Sequence, residues 1–391
     1  MSVCRAGDLA GTLRMAPGQA RPHNLVSSRR DWAALLTRGM PAAGLAARLA
    51  SLYSLCGESH RLCARMAIAA AQGSATFDTG HAAQVLQHET LREHVRRIGL
   101  DWPILLGADQ NDGQITQQAH ALLQQCPLFN PQAPVIANID GLGAQLGLQD
   151  WLQAQVLGIS APAWLAQWAQ DPAAWLRAWS ESTPLCVPRL LKLARPLMDQ
   201  AGPPSPLLRV HGSDADLRAL ADDLQRDHAF TRQPLWRGQC AETGTWTRLH
   251  QTHAGRITTP WLRLGARLAE LVRLALPDEP GHGGAQWLAM GSLPTAPQAG
   301  LAWVEMARGL LIHQVQLDAT GATVLSCQVV APTEWNFHPQ GVVAQTIESF
   351  PADASRHVFR QVNGLISAYD PCVKHELITS PVNPPKEPAH A

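Results

Sequence analysis

The sequence predicts an α+β fold, mostly helical, with a small antiparallel sheet. Apolar residues recur at helical spacing through most of positions 30–277 and again over 355–369. Between these stretches lies one run of four strand-like segments, "QWLAMGSL", "LAWVEMARG", "LLIHQVQLD" and "TVLSCQVVA". The turn "DATG" separates the last two, which suggests an antiparallel meander. With 46% hydrophobic residues in 391, the chain has enough apolar surface for a large core.

In chain order, Asp8 to Ser28 shows short apolar alternations broken by Gly and Pro and reads as a β-hairpin. "DWAALLTRG" is a short amphipathic helix ending at Gly39. Residues 41–72 read as one long buried helix, or as two joined near Cys56 and Gly57. Helical pattern continues at about 81–98, 114–125 and 145–158, and Pro then punctuates Trp-rich helices across 162–200. "AGPPSPLL" (201–208) reads as a linker. Ser213 stands as an N-cap before a helix with acids in its first turn. Thr caps and Pro260 open a helix whose apolar positions 261, 264, 268, 271, 272 and 275 make one buried face. After the sheet, 355–369 returns to helix, and the Pro-rich segment 379–391 reads as a disordered tail.

Composition excludes some functions. Lys plus Arg and Asp plus Glu are 31 each, so the formal net charge is zero, which argues against broad binding to nucleic acid or anionic membranes. No apolar run is long enough to span a bilayer, and the first residues lack the apolar core of a signal peptide. Eight widely scattered Cys do not make a disulfide scaffold, and the expectation is a cytoplasmic protein with reduced thiols. No phosphate-binding glycine loop, dinucleotide fingerprint, zinc-protease motif or nucleophile elbow is present. "GHGGA" (281–285) reads as a loop.

Two segments carry metal-ligand chemistry. "LCGESHRLC" (55–63) places Cys56, Ser59, His60 and Cys63 on one helix face. "DPCVKHELI" (370–378) offers Cys372 and His375. Thiolates with imidazole suit zinc or iron rather than magnesium or calcium. The spacing is not that of a zinc finger, and the ordinary role of Cys in an Ala-rich helix is apolar packing, so both readings stand for Cys56 and Cys63. The other Cys (4, 126, 186, 240 and 327) read as structural. Arg308, just before a Gly, fits either a solvated turn or a donor to an anionic ligand. "APTEWNFHP" (331–339) fits a packed loop around a buried Trp.

Taken together and in order, these segments resemble the large subunit of nickel–iron hydrogenases. That family carries R-x-C-G-x-C-x-x-x-H near its N-terminus and D-P-C-x-x-C-x-x-H at its C-terminus, with A-P-R-G and V-V-P-[ST]-T-W-N between them. Here the inner two read "MARG" (306–309) and "VVAPTEWN" (329–336), and the order matches from about residue 7 to 378. The resemblance implies one interlocked domain over 1–378, with the two distant clamps meeting at one buried centre.

The departures set the functional expectation. Cys56 and Cys372 match the family's terminal nickel ligands. Its two bridging thiolates fall on Ser59 and His375, and its clamp histidines on Cys63 and Ile378. The family's proton-relay Glu falls on Ala33 in "RDWA" (30–33), and alanine cannot relay a proton. Arg308, Pro332 and Thr333 match the pocket that faces the iron's diatomic ligands, where Arg and Thr donate to cyanide nitrogen. The resemblance therefore narrows to the HupK/HoxV group of hydrogenase maturation proteins.

What this implies is a non-enzymatic scaffold that transiently holds an Fe(CN)2CO fragment through Cys56 and Cys372, aided by His60, Cys63 or His375, with no stable nickel–iron centre. Its implied partners are the hydrogenase large subunit and a small hydrogenase carrier chaperone. Three alternatives stay open: a metal-free docking protein, a redox enzyme with an altered site, and a structural zinc site of Cys56, His60, Cys63 and His375.

Overall fold

A computed structural model describes residues 11–74, 77–107, 113–129, 141–227, 229–353 and 355–378. The expected tail at 379–391, Cys4 and the start of the expected hairpin lie outside them. The elements run β1 (Thr12–Met15), β2 (Leu25–Ser27), α1 (Trp32–Thr37), α2 (Ala42–Leu52), α3 (Gly57–Ala71), α4 (Thr79–Arg96), α5 (Trp102–Leu106), α6 (Gly113–Gln125) and α7 (Gly141–Leu152). They continue α8 (Ala161–Gln170), α9 (Pro172–Ser182), α10 (Cys186–Met198), α11 (Asp214–Arg226), α12 (Pro260–Leu274), β3 (Met290–Ala296), β4 (Ala299–Met306), β5 (Gly309–Leu317) and β6 (Val324–Val330). The last are α13 (Pro332–Asn336), α14 (Val342–Glu348), α15 (Arg356–Tyr369) and β7 (Lys374–Leu377).

The four expected strands form an antiparallel meander in the order β3-β4-β5-β6. β4 and β5 are buried at nearly every position, because both faces of the sheet are covered. Helix α3 packs across β3, β4 and β5. On the other face Leu301, Leu310, Ile312 and Val330 join Leu217, Leu220 and Leu224 of α11 in a second core.

The close approach of α3 to β4 depends on Gly300, where a Cβ would lie 2.2 Å from the Ala67 carbonyl oxygen and 2.5 Å from the Ala71 nitrogen. Both are backbone atoms of a packed helix and cannot yield. Gly300→Ala is therefore expected to cost roughly 1–3 kcal/mol, read as a lower urea midpoint at unchanged slope.

β1 and β2 form the expected hairpin, but its extension by β7 into a second, three-stranded sheet was not expected. β1 pairs antiparallel with β2 and parallel with β7, with Leu13 opposite His375. The strand at 374–377 reads "KHEL", with alternating exposure and no apolar run, so its partner alone makes it a strand.

Two other expectations need correction. Ser213 occupies the N-cap position of α11 but makes no side-chain capping bond; Asp214 and Asp216 supply the first-turn charge instead. α12 is buried on all faces rather than one. Its Thr259 cap accepts from the Leu262 N–H as expected. Its polar residues are enclosed in ion pairs: Arg263 with Glu242, Arg267 with Asp370, and Glu270 with Arg248 and His94. "GHGGA" leads into a 3-10 turn over Gly284–Trp287. α14 was also missed, being only two turns long. The Trp-rich helices explain themselves by packing: the Trp164 ring stacks on Trp168 at 5.7 Å and meets Trp179 edge-on at 5.5 Å.

Candidate metal-fragment site

α2 and α3 are two helices, joined by a 3-10 turn over Ser54–Cys56, and Cys56 sits at the N-cap of α3. Its backbone (φ −140°, ψ 43°) breaks the helix and turns its buried side chain toward the second metal-ligand segment. That segment follows α15. Asp370 takes the left-handed conformation (φ 48°) at the helix end, Pro371 prevents continuation, and Cys372 follows in a turn.

Cys56, Cys372, His60, Arg308, Pro332 and Thr333 all line one cavity of about 370 Å³. Residues 316 apart in sequence thus meet at one place. Thr333 and Pro332 come from the first turn of α13, anchored by the buried Trp335. The Thr333 hydroxyl lies 3.3 Å from Cys372 Sγ and accepts the Cys372 backbone N–H at 3.3 Å.

Arg308 is not a solvated turn residue. It lies in the two-residue β4–β5 turn with only 6% exposure. Gly309 follows at φ 135°, against Thr243, where a Cβ does not fit. One Arg308 nitrogen, Nη2, donates to Glu93 at 2.9 Å, and Nε lies 3.5 Å from Asp370. Nε and Nη1 are buried with no hydrogen-bond partner. Burial alone would weaken its charge, but Asp370, Glu93 and the two thiols outweigh that and hold it firmly protonated. A buried guanidinium with an unused Nη1 donor in a cavity wall is a ready donor site for an anion.

Asp370 organises this wall. It lies 2.6 Å from Arg97, 3.0 Å from Arg267 and 3.5 Å from Arg308. Burial would push its carboxyl up, yet Arg308, Arg97 and Arg267 carry it far below the usual range. The "DPC" motif thus joins a cation-binding carboxylate to a cavity thiol.

Sequence reasoning missed Arg29. Its Nη1 donates to Cys372 Sγ at 3.0 Å, and its Nε pairs with Glu334 at 2.7 Å. It follows β2, and its only local signal was the short run "SSRRD". Glu334, in turn, is raised by burial and lowered by Arg29, with burial prevailing. Ala33 is fully buried in α1, so the expected acid position holds only a methyl group.

The remaining expected residues separate. Cys63 lies between α3 and β4, its Sγ donating to the Ala302 carbonyl at 3.3 Å, and is not a cavity residue. His375 is half-buried on β7 and also lies outside the cavity lining. Ser59 is held by Glu89 of α4, which accepts its hydroxyl and, at 2.8 Å each, the backbone N–H groups of Glu58 and Ser59. Glu89 thereby caps the N-terminus of α3 and ties Ser59 away from ligation. Burial pushes the Cys56 thiol well up, with Arg308 opposing, and burial raises Cys63 likewise. Among the described residues, no group of three or more His, Cys, Asp or Glu is placed to hold a metal ion.

His60 stacks on Tyr53 at 4.0 Å and meets His313 of β5 through Nδ1···Nε2 at 3.0 Å. Burial drives His313 down to about 3, and burial, His313 and Arg29 together lower His60. The unfolded chain takes up a proton at each below pH ~6.5, whereas folded His313 resists until about 3. Stability is therefore lost as pH falls through that window. For His313, about 2 kcal/mol should go between pH 7 and 5. Urea midpoints across this range should fall in the native chain and flatten in His313→Gln.

No protein-family model matches the chain. It is 37% identical over 386 residues to the hydrogenase expression/formation protein HoxV of Cupriavidus necator, covering 96% of this chain and 97% of that protein. It is 31% identical over 348 residues to the hydrogenase expression/formation protein HupK of Bradyrhizobium diazoefficiens, covering 88% of each. Among solved structures, a variant of the nickel–iron–selenium hydrogenase of Desulfovibrio vulgaris Hildenborough superposes with TM-score 0.51 at 12% identity, over 89% of this chain and 92% of that one. The nickel–iron–selenium hydrogenase of Dm. baculatum gives TM-score 0.51 at 11% identity, over the same shares. The fold is that of the nickel–iron hydrogenase large subunit. No described helix is long and apolar enough to cross a membrane. With a relative 37% identical over nearly its whole length, the chain belongs to the HoxV/HupK family of hydrogenase expression/formation proteins.

Proposed function

We propose that this protein acts in hydrogenase maturation by holding an Fe(CN)2CO fragment as cargo between Cys56 and Cys372. The observation that carries the reading is the shared cavity, lined by two thiols and by a buried Arg308 whose Nη1 has no partner. A bare metal ion needs more protein ligands than two thiols supply. An iron that arrives with three diatomic ligands does not, and soft thiolates suit it.

Each residue has a role in this reading. Cys56 and Cys372 bind iron as thiolates, each releasing a proton as it does so. Arg308 donates to one cyanide nitrogen and Thr333 to the other, while Pro332 walls the cavity with an apolar ring. Arg29, already donating to Cys372, withdraws charge from that sulfur and weakens its hold on iron. Ser59 and His375 stand where a second metal would be bridged in the large subunit, and neither supports one. The fragment is thus held by few bonds, which favours onward transfer to the hydrogenase large subunit from a small carrier chaperone.

The test is infrared spectroscopy on protein purified without oxygen from cells that express the hydrogenase maturation genes. Cyanide and carbonyl stretches are expected in the native protein. Cys56→Ser and Cys372→Ser should each reduce their intensity at least ~10-fold, since each removes one of two thiolate anchors. Iron with no such bands, or full bands in both variants, would overturn the reading. Intact hydrogenase assembly without either thiol would leave a docking protein instead.

A further inference from the structure

We propose that the groove between α1, α11 and the outer face of β5 and β6 is the docking site for an acidic, apolar-bearing segment of a partner protein. The groove encloses about 850 Å³, and Arg30, Arg38 and Arg232 line it. None of the three forms an ion pair with a carboxylate among the described residues. The one acid beside them, Asp31, is occupied as the N-cap of α1 and by the Thr231 hydroxyl at 2.9 Å. The groove therefore carries net positive charge, three arginines against one aspartate, on a chain of zero net charge.

Two apolar side chains stand in the same groove, Leu35 at 64% exposure and Leu325 at 49%. A third observation points to a ligand. Gln314 is 4% exposed, lines the groove, and its Oε1 has no hydrogen-bond partner. Buried amide oxygens are ordinarily paired. A segment with carboxylates for the arginines, an apolar side chain between the leucines and an N–H for Gln314 satisfies all three features. The groove is concave, which suits a peptide segment over a flat bilayer surface.

The groove neighbours the cargo cavity: Arg30 lines both, and Leu36 of α1 lines the cavity side. A protein bound here would reach the cavity through α1. The identity of that partner as one that exchanges the iron fragment rests on the proposed function; the docking surface does not.

The experiment replaces Leu35, and separately Leu325, with the photo-crosslinker p-benzoylphenylalanine in the full chain, in cells carrying the maturation genes. Crosslinked peptides are sequenced by mass spectrometry, and the infrared bands are recorded on the same protein. The expected result is one acidic segment of one other protein at both positions. It should be lost in Arg38→Glu/Arg232→Glu and regained when an acid of that segment is changed to Lys. Crosslinks to a second copy of this chain, crosslinks to lipid, or none at either position would overturn the proposal. Crosslinks without bands would uphold the docking site and remove the cargo reading alone.

Discussion

Asp370→Asn is expected to destabilise the protein by about 3–5 kcal/mol, the usual result of removing one member of a buried ionic cluster. Asn is the informative replacement because it tolerates the left-handed backbone that Asp370 adopts. The change thus isolates the charge. Without it, Arg97 keeps Asp101 at 2.7 Å and Arg308 keeps Glu93 at 2.9 Å. Arg267 keeps only the His94 ring at 3.2 Å, and burial already lowers its pKa. The cost therefore concentrates on Arg267. Urea unfolding should show a lower midpoint at unchanged slope. A loss below ~1 kcal/mol would mean that water reaches the cluster and that Asp370 is not its hub.

The second large effect is expected at Arg308. Arg308→Met removes the unpaired Nη1 donor from the cavity wall and leaves Glu93 and Asp370 without one cation. Cyanide and carbonyl band intensity should fall at least ~10-fold, with several kcal/mol of stability, because a buried charge pair is broken from one side. Arg308→Lys separates the two consequences. It keeps a cation for the carboxylates but loses the planar fork. Stability should largely return, while the cyanide bands shift or stay weak. Lys restoring both would reduce Arg308 to a counter-ion and leave the cyanide contacts to Thr333.

These two sites differ in how visible they were beforehand. Arg308, Thr333 and both cavity thiols stood in short motifs, so their type and order could be read, as could the meander; the helix break at Cys56 was one of two readings. Their environment could not. Arg29 reaches Cys372 across 343 residues, and Ser59 reaches Glu89 across 30, with no local pattern to announce either. α12 read as amphipathic because Arg263, Arg267 and Glu270 look like a solvated face; each is in fact enclosed with an opposite charge from a distant element. β7 has the composition of an exposed turn and is a strand only because β1 lies beside it. Local periodicity reports which face a residue presents, and says nothing of what the rest of the chain brings to meet it.

The parallel pairing of β1 with β7 also sets a timetable. Thr12 pairs with Lys374, so that ladder cannot close until translation has passed Leu377. At ~5–20 residues per second, a ribosome needs roughly 20–75 s to get there. For most of that interval Cys56 is made while Cys372 is not. On the proposed function, such a nascent chain has one of its two thiol anchors and an unfinished cavity. The cavity lining is complete only when Cys372 arrives, as β7 docks beside β1.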